Sequence, residues 1–207
     1  MPSLALYVAA SLALIATPGQ DMLYVIARSV AQGRAAGLCS ALGVSLGILV
    51  HTALAALGVA ALLQASETLF VALKLGGAAY LVYLGARMLV AKGAASADAA
   101  PAKPLSPLAL VGQGMLSNVS NPKIVMFFMA FLPQFVDPAS AHPTRDLVSL
   151  GALYAAMAFP VKGAVAWVAA SFARRARPSA RALAWAHRAG GAILVLLGLR
   201  LALAGPR

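Results

Sequence analysis

Thr17-Pro18-Gly19-Gln20-Asp21 and Asn118-Val119-Ser120-Asn121-Pro122-Lys123 are the two stretches whose reading decides the fold. Each interrupts an apolar segment, with its proline about fourteen residues in, counted from Leu4 to Pro18 and from Leu108 to Pro122. The two prolines lie half a chain length apart. Proline and glycine interrupt the regular helical ladder, so each stretch leaves carbonyls and amides without helical partners. Hydrocarbon cannot satisfy such groups, so these breaks persist only where protein buries them or where they line a wet cavity. A matched pair of breaks in the two halves of a membrane protein points to a central substrate site.

That hydrocarbon surrounds the chain follows from composition. Of its 207 residues 62% are hydrophobic and 10% charged, with a mean hydropathy of +0.88. A soluble domain carries about 25% charged residues, so too little polar surface exists here to coat a water-soluble globule. Cys39 stands alone in an apolar run, which excludes a disulfide framework or a cysteine metal cluster, and nothing asks for a cofactor. Met1-Pro2-Ser3-Leu4 puts no basic region ahead of the first apolar stretch, so that segment is expected to be retained as a span. The net charge of +11 does not point to nucleic acid, because the basic residues flank apolar segments instead of forming an aromatic-interleaved patch. Beside anionic lipid they act as topology determinants.

Six segments approach the about 20 apolar residues of a membrane span. They run over 4–27, 37–63, 69–90, 108–132, 147–172 and 189–204, the last being short. The fold class expected is therefore all-α, with six transmembrane helices and the first and fourth broken at Pro18 and Pro122. Odd-numbered connections hold Arg28, Arg34, Arg87, Lys92, Lys103, Arg174, Arg175, Arg177, Arg181 and Arg188. Even-numbered connections and tails hold only Lys74, Arg145 and Arg207. Lys and Arg collect on the cytoplasmic side, which makes loops 28–36, 91–107 and 173–188 cytoplasmic and puts both termini outside.

The Ala-, Ser- and Pro-rich stretch 93–107 is the only linker-like segment. It separates residues 1–92 from 108–207, three spans from three. Three is odd, so the second triplet enters from the opposite face, which gives an inverted-topology repeat within one domain. Similarity between the halves is confined to the proline and the apolar run after it, Met22-Leu23-Tyr24 against Met126-Phe127-Phe128. Gly43 and Gly47, with Gly76, Gly77 and Gly85 on the third span, suit close helix packing. That packing serves equally within a subunit or between two, so the sequence leaves open whether the protein acts alone or as a homodimer.

An ionisable side chain at membrane depth costs at least ~2.5–3.5 kcal/mol, so each one present needs a reason. Asp21, Lys123 and Lys162 are the candidates, with His51 as a fourth polar group. Asp21 suits a cation or a substrate ammonium; the bland alternative is a solvated carboxylate paired with Arg28. Lys123 suits a substrate carboxylate, and Asn118 and Asn121 supply donors and acceptors to the broken backbone; alternatively Lys123 serves carbonyls that Pro122 frees. Counted from the outer face, Asp21 and Lys162 differ in depth by only ~3 Å at 1.5 Å per residue, whereas Lys123 lies ~13 Å away if the helices were unbroken. An Asp21–Lys162 ion pair is therefore expected, opening when substrate or a proton binds. His51 has the ordinary pKa of a proton relay, though a packed, hydrogen-bonded histidine reads as well. The candidate substrate-binding set is Thr17, Pro18, Gly19, Gln20, Asp21, Asn118, Asn121, Pro122, Lys123 and Lys162, with Asp21 and His51 for proton coupling.

At these residues the sequence closely resembles the LysE/RhtB family of amino-acid exporters. The resemblance is carried by Ala16-Thr17-Pro18-Gly19-Gln20-Asp21-Met22, by Gln32-Gly33-Arg34, and by Gly43 to Gly47. It continues in Lys74-Leu75-Gly76-Gly77-Ala78-Ala79-Tyr80-Leu81 and in Asn121-Pro122-Lys123 running into Phe127-Phe128 and Phe131-Leu132-Pro133-Gln134-Phe135. It implies a bacterial inner-membrane exporter of amino acids or related metabolites, driven by proton antiport. Gln20 departs from the family's frequent second proline, and Lys162 stands where many members are acidic or neutral. Two buried lysines against one aspartate would repel a dibasic substrate, which favours a neutral amino acid over lysine or arginine. An enzyme would need a nucleophile–base pair or a metal set that the sequence lacks. A channel would need rings of carbonyls or charges, usually supplied by an oligomer. A scaffold gives no reason for polar breaks at matched depth.

Overall fold

The computed structural model describes residues 3–59, 67–90, 104–137, 139–172 and 180–203, which form eight α-helices and no strand. They are α1 (Leu4–Ala16), α2 (Gln20–Gln32), α3 (Arg34–Leu54), α4 (Glu67–Val90), α5 (Pro107–Val119), α6 (Pro122–Met126), α7 (Pro143–Phe172) and α8 (Ala180–Leu203). A π-helical turn, Ala55–Val59, extends α3; a π turn, Phe127–Phe131, and a 3₁₀ turn, Leu132–Phe135, extend α6.

Both expected breaks are present. The α1–α2 pair bends by 51° and the pair formed by α5 and Pro122–Phe135 by 54°. Three helices are long and apolar enough to cross a membrane alone, and counting each bent pair as one span gives five. This is a multi-pass membrane protein. The sixth expected segment is helical from Ala180, earlier than the 189 expected, and is not among those five. The expected loop 28–36 is corrected as well: α2 runs through Gln32, and Gly33 alone separates it from α3. Gly33 has φ 88°, a conformation that favours glycine, and it reverses the chain in a single residue. Lys74 belongs to α4 and is buried, not in a connection. Residues 91–103 and 173–179, with most of the expected linker, lie outside the described residues.

Local chemistry explains the starts. Ser3 and Ser106 cap α1 and α5 by accepting from the Leu6 and Ala109 amides at 3.3 Å each. Pro107 and Pro122 occupy first-turn positions, where a missing N–H costs nothing. Asn121 caps α6 through Oδ1, which accepts from the Lys123 amide at 3.2 Å.

The polarity of α3 is inside-out relative to a helix of a soluble protein. Along α3, Leu38, Leu42, Leu46 and Leu49 are exposed, while Ser40, Ser45, His51 and Thr52 are buried. A leucine stripe facing outward and polar groups facing inward suit a helix whose surroundings are lipid. Glycines let backbones meet. A Cβ on Gly43 would strike the Val111 carbonyl, and one on Gly47 would lie 2.9 Å from the Met115 carbonyl, so α3 and α5 touch through these two. A Cβ on Gly85 of α4 would lie 2.5 Å from the Gly191 carbonyl of α8, whereas Gly76 faces open space. These glycine contacts lie inside one chain.

Candidate substrate site

The two breaks meet at the centre of the molecule and complete one another. In a continuous helix the Leu14 carbonyl would accept from residue 18, and the Asn118 carbonyl from residue 122. Both donors are absent, because both positions are proline. Each carbonyl is served instead from a distant segment. Lys123 Nζ donates to the Leu14 carbonyl at 3.2 Å and to the Thr17 carbonyl at 2.9 Å. His51 Nε2 lies 3.2 Å from the Asn118 carbonyl, which also accepts from the Asn121 amide at 2.9 Å. A carbonyl only accepts, so this geometry assigns the imidazole proton to Nε2.

Between the breaks sits Asp21, fully buried in the first turn of α2. Lys162 Nζ from the middle of α7 meets its Oδ2 at 2.8 Å. Asn121 Nδ2 donates to Oδ1 at 2.9 Å and Asn118 Nδ2 to Oδ2 at 3.4 Å. Helix-end electrostatics favour both signs of charge here. Asp21 lies at the N-terminal, positive end of α2, and Lys123 at the C-terminal, negative end of α1. Asn118, Asn121, Lys123 and Lys162 are each at most 4% exposed, so the network is dry enough for its charges to count strongly.

The expected Asp21–Lys162 pair is therefore present, and the alternative with Arg28 is overturned. Arg28 instead donates to Gln113 Oε1 at 3.2 Å and lies over the Tyr24 ring, 5.8 Å from its centroid. Lys123 is closer to the first break than depth counting implied, since bends of this size shorten the path and its long stem does the rest. The carbonyls it serves come from the first break and not from Pro122. Thr17 is buried, its Oγ1 donating to the Ala13 carbonyl at 2.8 Å. Pro18 and Thr17 pack against Gly190 of α8. Gly19 is extended, φ −153°, and leads into α2. Gln20 does not join the network: it is exposed and borders an open cleft. His51 touches the network through the backbone of Asn118, not through Asp21.

Two features escaped the reading of the sequence. One is an aromatic cluster beyond the site, where Phe127 lies 5.1 Å from Tyr154 and 5.0 Å from Phe131, and Tyr7 lies 5.1 Å from Phe135. Tyr7, Phe127 and Phe128 are fully buried. Its clue was the run of phenylalanines after Pro122. The other is the cleft, about 540 Å³, between α2 and α5, lined among others by Tyr24, Gln113, Ser117 and Ser120. Gln113, Ser117 and Ser120 recur at helical spacing, a polar stripe that the sequence did display. Among the described residues no group of histidines, cysteines and carboxylates is arranged to hold a metal.

With this geometry in place, likeness to known proteins can be stated. The chain is 39% identical to an uncharacterized membrane protein of Pseudomonas aeruginosa, over 96% of this chain and 94% of that one. It is 32% identical to the leucine efflux protein of Salmonella choleraesuis, over 66% of this chain and 64% of that protein. The match thus spans a little under two thirds of that relative's length. The leucine efflux protein of Enterobacter sp. is 32% identical over 70% of this chain and 68% of its own. No solved structure matches. Residues 12–205, nearly the whole chain, match the LysE type translocator family, and the chain belongs to it.

Proposed function

We propose that this protein exports amino acids across the bacterial inner membrane in exchange for protons, neutral amino acids in preference to lysine or arginine. Membership in a translocator family and relatives named for leucine efflux support export of an amino acid. The observation that carries the reading is the buried Asp21–Lys162 pair, bonded at 2.8 Å between the first broken helix and α7. A zwitterion carries one of each charge at one carbon. Its ammonium replaces Lys162 at Asp21, its carboxylate takes the freed lysine, and each buried charge stays partnered throughout. A proton on Asp21 releases the ammonium again, which couples proton entry to amino-acid exit. A second cation, as on lysine or arginine, meets Lys123 and Lys162 without a second carboxylate.

Two inverted three-helix repeats support alternating exposure of this site. Under the symmetry α3 pairs with α7 and α4 with α8, and both pairs are packed together. The Leu14 and Asn118 carbonyls are equivalent, and a side chain from another segment serves each. Both termini lie outside. The end that joins Gln32 to the Leu105 carbonyl and Arg34 to Ser171 is cytoplasmic.

Flux in proteoliposomes tests this. Efflux of labelled leucine is expected to accelerate when the receiving side is acidified, lysine to move far more slowly, and Asp21→Asn to stop both. Flux indifferent to the gradient would remove proton coupling, and lysine outrunning leucine would remove the preference.

A further inference from the structure

The cleft between α2 and α5 carries polar groups where a lipid-facing surface would be apolar throughout. Gln20, Gln113 and Ser120 are exposed in it, on bent pairs that each have the length and apolarity of a span. Lipid offers such amides and hydroxyls no partner. Ser117 Oγ, also in the lining, is buried without a hydrogen-bond partner in the protein. Such an atom awaits a ligand or water. From Gln20 to Ala27 along α2, and from Ser120 to Gln113 along α5, the cleft runs ~10 Å at 1.5 Å per residue. One end lies beside Asp21 and Asn118 of the buried network. At the other, Gln113 and Tyr24, both lining residues, hold the Arg28 guanidinium.

Its chemistry selects a ligand class. Leu23, Leu116, Ala27 and the Tyr24 ring offer apolar contact, and no carboxylate is among the lining residues. Arg28 presents a fork of N–H donors that matches a carboxylate. From these we infer that the cleft is a wet loading subsite for an aliphatic, neutral amino acid. Arg28 takes the α-carboxylate, Gln113 and Ser117 solvate the polar end beside it, Leu23 and Leu116 take the side chain, and Gln20 and Ser120 line the way to Asp21. The ligand then passes along the cleft to Asp21. This rests on the export reading above, but it concerns residues outside the buried pair and has its own readout.

The test is thiol protection in membranes, with Ser120→Cys or, as an independent reporter, Ala27→Cys, each in a Cys39→Ala background. A hydrophilic maleimide is expected to label both positions. L-Leucine at ten times its half-protecting concentration should slow labelling about tenfold. Leucinol, which lacks the carboxylate, should not protect. Arg28→Gln should abolish protection by leucine, judged against that variant's own unprotected labelling rate, and protection should survive Asp21→Asn. Absent labelling at both positions means lipid covers the cleft. A spontaneous disulfide between two copies of the Ser120→Cys variant puts a second copy there. Protection by leucinol, or its loss in Asp21→Asn, means the buried pair alone is being reported. Each of these overturns the subsite. Protection without flux in wild type would instead leave the subsite standing and remove the export reading.

Discussion

The two proline breaks carry the same backbone defect and are repaired by different chemistry. At Pro18 the stranded Leu14 carbonyl receives a lysine ammonium, and that lysine also holds the Thr17 carbonyl. At Pro122 the stranded Asn118 carbonyl receives a histidine N–H, shared with the Asn121 amide. The first break therefore rests on a cation supplied by the second, while the second rests on a ring from α3 that is able to stay neutral. Charge is concentrated at the first break, where Asp21 and Lys162 also meet, and the second supplies the asparagines that hold Asp21. The difference teaches that two breaks meeting at one buried network divide the labour: one carries the ion pair and the other steadies it.

The largest effect is expected where that charge is altered. Lys162→Asp sets two carboxylates against each other and should bring flux to background. Lys162→Gln keeps a donor for Asp21 without its charge, and should leave flux that no longer follows a pH gradient. Removing one partner of a buried pair costs roughly 3–5 kcal/mol, so thermal unfolding in detergent should drop in step. Wild-type transport by both variants would dismiss the pair from the mechanism.

Next in size is Lys123→Met, which removes the bond to the Thr17 carbonyl and one of two at Leu14, since the Thr17 amide still reaches Leu14 at 3.2 Å. Leaving a buried carbonyl unmet costs about 1–3 kcal/mol. Lys123→Arg should recover most of that loss in an unfolding assay. Equal melting of Met and Arg variants would show that the amine does not hold the first break.

How much of this could be read in the sequence divides along physical lines. Helix breaks at Pro18 and Pro122 follow from the missing N–H and need no tertiary knowledge. The Asp21–Lys162 pair was legible because residue counting gives depth along helices that run the same way. Counting failed for Lys123, since a 51° bend changes what lies beside what. It also ended the first helix too early: Arg28 suggested a boundary, but α2 continues past it to Gln32. Whether Gln20 faces the network or the cleft depends on how α2 is rotated, which no local pattern specifies. The π turns at Ala55–Val59 and Phe127–Phe131 had no sequence signal either.

A smaller effect is expected at the second break. His51→Leu leaves the Asn118 carbonyl with the Asn121 amide, so the loss should be about 1 kcal/mol, the size of one net hydrogen bond. His51→Gln retains an N–H donor of similar reach and should melt near wild type. If the imidazole also relays protons, His51→Gln will flatten the pH dependence of leucine flux while its stability holds. A Gln variant with unchanged pH dependence confines His51 to the repair of the break.

The smallest effect separates crowding from conformation at the first break. Gly19 has φ −153°, extended backbone open to any residue, so its glycine is not required by the chain's path. A Cβ there would lie 3.1 Å from Lys123 Nζ and 3.4 Å from its Cε, close enough to nudge a flexible side chain by tenths of an ångström. Gly19→Ala should therefore shift stability by no more than about 0.5 kcal/mol, the range of unobtrusive substitutions. It should still slow leucine flux, because the displaced ammonium is the one holding Thr17 beside Asp21. At the second break Gly47→Ala is the harsher counterpart, its Cβ meeting backbone at the Met115 carbonyl, 2.9 Å away, and Asn118 Cβ at 2.8 Å. Backbone cannot swing aside as a lysine stem does, so Gly47→Ala should lower the melting temperature first and flux only in proportion. The opposite ranking would mean that the first break is the more rigid of the two and that Lys123 is clamped and not merely bonded.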